Sequence, residues 1–296
     1  MIGHDIANLV MKKTVISKSF DLGNVISSYP KGSIKKFMLD GSELNTYSIE
    51  NNQCFSIEVK TEDYSNALIS DYYNCNNRII EQKNNIKNLI DTDSQVAWIL
   101  ISMYYCNFYA ANEISKLYGN FIVNFSKEDM ESILFQSQYN NPCEFISSLQ
   151  NYNSFRLEVA QSDYEGFTLL KFEKSSPKPQ QAVWSNLDSI IRNLPVSDTL
   201  LHHHQLLQKI LNSKKGWDNP SRTRNEWNYT NANYYGEKGD RLGDQFKKIM
   251  TSASSAFSWG SNRKIYPHDE NKVASIAYIY FILLEAHDYI NLRLGI

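Results

Sequence analysis

Four cysteines are all that the 296 residues contain, and Cys54, Cys75, Cys106 and Cys143 stand far apart with no C-x-x-C pair. That spacing argues against a zinc site or a disulfide framework. Cys106 lies inside an apolar run and is read as a buried thiol. Long apolar runs are also lacking. The longest, Ile276 to Leu284, covers about nine residues, whereas a membrane span needs roughly 20. Met1 to Lys13 has no basic segment leading into an apolar stretch, so no signal peptide is expected. With so few cysteines, a reducing cytoplasm is the expected compartment. Charge of one sign is scarce too: the formal net charge is -2. The molecule as a whole is therefore no basic nucleic-acid carrier, and any RNA contact must come from a local patch. The G-x-S-x-G, H-E-x-x-H and S-x-x-K motifs do not occur. No metal and no cofactor is expected.

What the chain does have is apolar content, 42% of its residues, which is enough to bury a sizeable core. It is also rich in Asn, Ser, Ile, Lys and Tyr, which implies a polar surface carrying many amides. The first 60 residues read as strand-rich. Thr14 to Phe20, Lys35 to Leu39 and Cys54 to Lys60 carry β-branched and aromatic residues, punctuated by turns at Asp21-Leu22-Gly23, Pro30-Lys31-Gly32 and Asp40-Gly41. Phe55, Ile57 and Val59 fall on one face of a half-buried strand, with Ser56, Glu58 and Lys60 on the other.

Helix is expected from about Asp63. Asp91-Thr92-Asp93-Ser94 offers N-cap oxygens to a second helix, Gln95 to Tyr118, that is apolar on nearly every face and is ended by Gly119-Asn120. Residues 121–175 read as an insertion. It holds a strand at Phe121 to Phe125, a helix at Lys127 to Gln136 and a β-hairpin, Ser154 to Gln161 with Phe167 to Lys174. Ser175 to Pro179 is the clearest linker. Helices are expected again at Gln181 to Asn193, Thr199 to Ser213 (capped by Asp198), Asp244 to about Phe257 and Asn271 to Arg293. The fold class is α+β, mainly α: a strand-rich segment at 1–60, then a helical domain at 61–296 interrupted by the insertion.

Chemistry concentrates between Ser221 and Tyr229, where Arg222, Arg224, Asn225, Glu226, Asn228 and Tyr229 follow Pro220. On an α-helix, Arg224 stacks with Asn228, and Asn225 with Tyr229. A guanidinium, an amide and a phenol suit recognition of a phosphodiester. The bland alternative is a solvated helix start with an Arg–Glu pair and packed aromatics. The segment Gly236 to Gly243 has neither P-loop nor dinucleotide spacing and reads as a mobile loop. It carries Lys238 and Arg241, cations able to reach an RNA phosphate. Among the histidines, His202-His203-His204 point three ways from one helix and make a weak metal candidate. His268, just before the last helix, is a candidate acid or base. For His287, packing is the simpler reading.

A resemblance then joins two of these segments. Trp98 to Glu113, with its Tyr104-Tyr105, Phe108 and Ala110-Ala111, followed by Leu117-Tyr118-Gly119, resembles the early core helix of HEPN-domain proteins. Arg224-Asn225 resembles the start of that family's nuclease motif, an Arg, four to six variable residues of which the first is often polar, and then His. The resemblance covers about 63–120 and 181–294. It implies a helical bundle that is often a homodimer. It also implies a metal-independent endoribonuclease or RNA-targeting effector in bacterial antiviral defence or toxin–antitoxin function, with an antitoxin or other defence-system protein as partner. Carried over, Arg224 meets the scissile phosphate, Asn225 orients it and Tyr229 donates a hydrogen bond, with Arg222, Lys238 and Arg241 attracting RNA. This sequence departs from the pattern at the His. Counting from Arg224, that position holds Tyr229; counting from Arg222, it holds Trp227. A phenol is a poor general base at neutral pH. The departure therefore bears on catalysis rather than fold, and leaves a second reading open: a non-catalytic HEPN-fold interaction or regulatory subunit that binds a partner protein or a nucleotide.

Overall fold

A computed structural model describes the whole chain except residues 1, 17–33, 41–43, 51–52, 137–144, 146 and 176–178. The turns expected at Asp21-Leu22-Gly23 and Pro30-Lys31-Gly32, Gly41 of the third, most of the Thr14 to Phe20 strand, most of the Ser175 to Pro179 linker and Cys143 lie outside the described residues, and Asp40 ends a helix. The chain is α+β and mainly α. In order, the elements are α1 (Ile2–Lys13), α2 (Ile34–Asp40), β1 (Asn45–Glu50), β2 (Cys54–Lys60), α3 (Thr61–Asp91), α4 (Val96–Tyr118), β3 (Asn120–Ser126), α5 (Lys127–Gln136), β4 (Tyr152–Gln161), β5 (Phe167–Lys174), α6 (Pro179–Arg192) and α7 (Leu201–Leu211). They continue with α8 (Pro220–Asn225), a π-turn (Glu226–Thr230), a 3-10 turn (Ala232–Tyr235), α9 (Glu237–Leu242), α10 (Asp244–Ile249), α11 (Ala253–Ser261) and α12 (Asp269–Leu294).

Two compact units interleave along the chain. One comprises Lys13–Cys75 and Ser115–Ala182; the other comprises Met1–Lys12, Asn76–Ile114 and Val183–Ile296. The first holds a five-stranded antiparallel sheet in the order β1-β2-β5-β4-β3. The strands of the first 60 residues and those of the insertion thus belong to one sheet. The joining register is β2 on β5, with Phe55 opposite Phe172 and Ile57 opposite Leu170. Alternation puts Phe55, Phe125, Phe155 and Phe172 on the buried face. The rings of Phe55 and Phe172 stack at 4.3 Å, and Phe155 meets Phe55 edge-on at 5.4 Å.

The Lys35 to Leu39 segment expected as strand is helical, and so is the start of the segment read as strand-rich. Ile2, Ile6, Ala7 and Val10 bury one stripe of α1, and Ile34 and Met38 do so on α2. A spacing of four residues overrides β-branched composition once one face is buried. The Gly236 to Gly243 segment is helix α9, not a loop. Its Gly239 is there for close approach, since a Cβ would stand 1.8 Å from the Tyr234 carbonyl oxygen. The helix expected from Asp244 to Phe257 is two helices. Ser252 interrupts it in extended backbone and its Oγ accepts the Ser255 N–H at 3.2 Å, capping α11. The Asp91 to Ser94 segment serves the preceding helix instead. Thr92 Oγ1 donates to the Asn88 carbonyl at 2.8 Å, and Asp93 takes a positive φ of 49°.

In the helical unit α12 is the central element, buried along Val273 to Leu284 but for Phe281. By length and composition α12 is apolar enough to cross a membrane, yet 78% of its apolar window is buried inside the fold, as expected of a core helix. Asn107 from α4 donates to the Ile276 carbonyl at 2.9 Å, which fixes the two helices at one level. Burial pushes the Cys106 thiol up to about 12, which leaves it unreactive.

Candidate functional site

Asn219 and Pro220 start α8. The Asn219 side-chain oxygen accepts the Arg222 N–H at 3.0 Å, and Pro220 fills the first turn where no N–H is needed. The helix lasts six residues and then widens into the π-turn, where the Asn231 N–H reaches back five residues to the Glu226 carbonyl at 3.1 Å. This widening changes which side chains meet. The α-helical pairs expected from the sequence, Arg224 with Asn228 and Asn225 with Tyr229, do not describe the site. Arg224 instead meets Tyr229, five residues on, with its guanidinium carbon 5.4 Å from the ring centroid.

Two rings from α4 complete the enclosure. The Arg224 guanidinium lies 5.0 Å from the Tyr104 ring and 5.4 Å from the Tyr105 ring. Tyr104 Oη and Ser221 Oγ share a hydrogen bond at 3.2 Å, tying the start of α8 to α4. Arg224 is 3% exposed while Tyr229 is 71% exposed. A buried cation is thus clasped by three phenol rings, the outermost of which stands in solvent. Each such contact contributes on the order of 0.5–2 kcal/mol, more where water is excluded. Burial raises the Tyr105 pKa, and the Arg224 charge pulls it partly back. Trp227, on the inner side of the π-turn, packs at 4.9 Å against Tyr234.

The other arginine behaves differently. Arg222 is exposed and ion-paired, 3.0 Å from Asp218 and 3.5 Å from Glu226, as the bland reading of the segment expected. Asp218 is buried and also takes Lys272 at 2.8 Å. The hydrogen bond that Lys272 donates to Asp218 raises the Lys272 pKa against the opposing effect of burial. Asn225 is exposed. Lys238 is exposed with its ammonium 5.4 Å over the Tyr234 ring, which places it beside the π-turn through Trp227. Arg241 is exposed on α9 and, among the described residues, forms no ion pair. His268 is exposed at the N-cap of α12, and its ring contact is with Tyr266 at 6.3 Å, not with Arg224.

The remaining histidines are held elsewhere. His204 bonds the Ile191 carbonyl at 2.8 Å. His203 is buried, its Nδ1 2.8 Å from Tyr278 Oη and its Nε2 3.0 Å from Ser261 Oγ. This Ser–His–Tyr line was invisible in the sequence, because its members come from three helices. Its proton directions are set by its end: Ser261 donates to the Phe257 carbonyl at 2.9 Å. The His203 Nε2–H therefore donates to Ser261, and Tyr278 donates to Nδ1. That is the reverse of a base activating a serine, so the line is a satisfied network, buried at His203 and Tyr278 and open to solvent at Ser261. Among the described residues no group of His, Cys, Asp and Glu is placed to hold a metal ion. Comparison with protein-family models, curated proteins and solved structures returned no match to the chain.

Proposed function

We propose that the chain is a HEPN-like RNA-targeting effector whose Arg224 site grips RNA without cutting it unaided. One observation carries the reading: a guanidinium enclosed by Tyr104, Tyr105 and an exposed Tyr229. Displacing Tyr229 uncovers a cation against which a phosphate seats, while the freed phenol and Tyr105 offer faces to a base. Among the described residues Tyr229 has Arg224 as its one cation–π partner, so the displacement disturbs few other contacts. Lys238 and Arg241 supply the outer charge, and Arg222, already paired with two carboxylates, supplies less. Cleavage by the family's route needs a base near the Arg, and His268 faces Tyr266 instead.

The test is a gel shift and an integrity assay on one labelled single-stranded RNA. The expected outcome is a shift with intact RNA, lost in Arg224→Ala and weakened in Tyr229→Ala. Cleavage that disappears in Arg224→Ala would restore the endoribonuclease reading. No shift, together with a partner-protein complex that Arg224→Ala disrupts, would move the site to the interaction reading.

A further inference from the structure

A concave surface in the helical unit, about 670 Å³, lies along α12 and is also lined by residues of α1, α3 and α11. On most core helices the solvent-facing stripe is charged. Here the outward positions of α12 include Phe281, Tyr289 and Leu292, the last 75% exposed. Phe257 and the edge of Tyr280 add two more rings, so aromatic faces dominate the apolar lining. On the α3 side stand Lys83 and Lys87, one helical turn apart. Asp288 holds Lys83 at 3.1 Å, whereas Lys87 is exposed and, among the described residues, forms no ion pair.

A second polar part of the lining is Glu285 of α12, beside His4 of α1, whose ring lies 4.7 Å from that of Tyr289. Glu285 Oε2 accepts the Gly3 N–H at 3.2 Å, and Gly3 is needed there because a Cβ would lie 2.6 Å from that oxygen. Glu285 Oε1 is buried with no hydrogen-bond partner, 3.6 Å from His4 Nε2. Burial raises the Glu285 pKa against the pull of His4 and the start of α1. A concave, largely apolar surface of several hundred Å³ with a few convergent polar groups and a perturbed carboxyl is the usual form of a small-molecule site.

We propose that this groove binds a planar aromatic anion, its ring stacked among Phe257, Phe281 and Tyr289 and its charge on Lys87. Rings prefer offset or edge contacts with other rings, and four aromatic side chains against two leucines favour a flat ligand over an acyl chain. The site is separate from the Arg224 cluster and does not rest on the RNA reading.

Calorimetric titration of the full chain with 2-naphthoate tests it. Two control ligands are 2-naphthylmethylammonium, the same ring with the opposite charge, and decanoate, an anion without a ring. Naphthoate is expected to bind saturably at one site, with each control at least tenfold weaker. Lys87→Glu, a change at an exposed position, should cost tenfold or more for naphthoate, and Phe281→Ser a similar factor. RNA binding should be unchanged in both variants. Equal binding of the cation, tighter binding of decanoate, no saturable binding, or indifference to both variants would each overturn the assignment. A dimer that Leu292→Lys converts to monomer would overturn it too, by showing that a second copy covers the groove.

Discussion

Two aromatic clusters show how differently one chain uses the same kind of side chain. In the sheet unit, Phe55, Phe125, Phe155 and Phe172 pack ring on ring, wholly buried. In the helical unit, Tyr104, Tyr105 and Tyr229 pack around a cation, and one of them is left in water. The first cluster is held by loss of water from apolar surface, which is non-directional and large. The second combines ring–cation attraction with the cost of burying a charge, and the two terms partly cancel. The phenylalanine cluster should therefore dominate stability, and the arginine cluster should matter more for binding.

The largest test is on the apolar side. Phe172→Ala should cost about 3–5 kcal/mol, read by urea unfolding. A loss no larger than that of an exposed substitution would break the comparison. Gly239→Ala should cost about 1–3 kcal/mol, because the new methyl meets the Tyr234 backbone rather than a movable side chain. Its melting should also shift the fluorescence of Trp227, which packs on Tyr234. Arg224→Met should change stability by only about 1 kcal/mol in either direction, since ring contacts and a buried charge are lost together. Its RNA affinity should fall at least about tenfold, equivalent to roughly 1.4 kcal/mol. A large stability loss would instead place Arg224 with the phenylalanines as a packing residue.

A pH test sharpens the polar side. The Lys272 pKa is raised in the folded chain by Asp218. A group so raised contributes stability below its unfolded pKa, about 10.4, and that contribution is lost as pH rises through the folded value. The stability gap between the wild type and Lys272→Met should hold constant from neutral pH to about 10 and then shrink. A gap that widens in alkali would reverse the sign. The smallest effect is expected at the exposed Arg156–Glu173 pair, 2.6 Å apart. Arg156→Ala there should cost less than about 0.5 kcal/mol.

Much of the sheet unit was legible because alternation is a local signal. Phe55, Ile57 and Val59 were placed on one face correctly, and the helix at Lys127–Gln136 was read to the residue. What misled was composition without period. Lys35 to Leu39 suggested strand where Ile34 and Met38 form a helical stripe. The glycines of 236–243 suggested mobility where Gly239 serves a close backbone approach. The candidate segment was found in the sequence, but its geometry was not. An α-helical period pairs Arg224 with Asn228, and only the π-turn delivers Tyr229. The groove along α12 gave no local signal either, since its lining comes from four helices.

The sequence by itself determined the class of the fold and many of its helix and strand faces, and it singled out the Ser221 to Tyr229 segment as the candidate site. These are properties of side-chain period and of residue type over a few turns of chain. Tertiary structure decided the rest. It put the strands before residue 60 and those of the insertion into one sheet, because hydrogen-bond register joins β2 to β5 across more than a hundred residues. It also decided that Arg224 is enclosed by rings while Arg222 stands exposed between two carboxylates, because those groups arrive from α4, from the turn before α8 and from the π-turn.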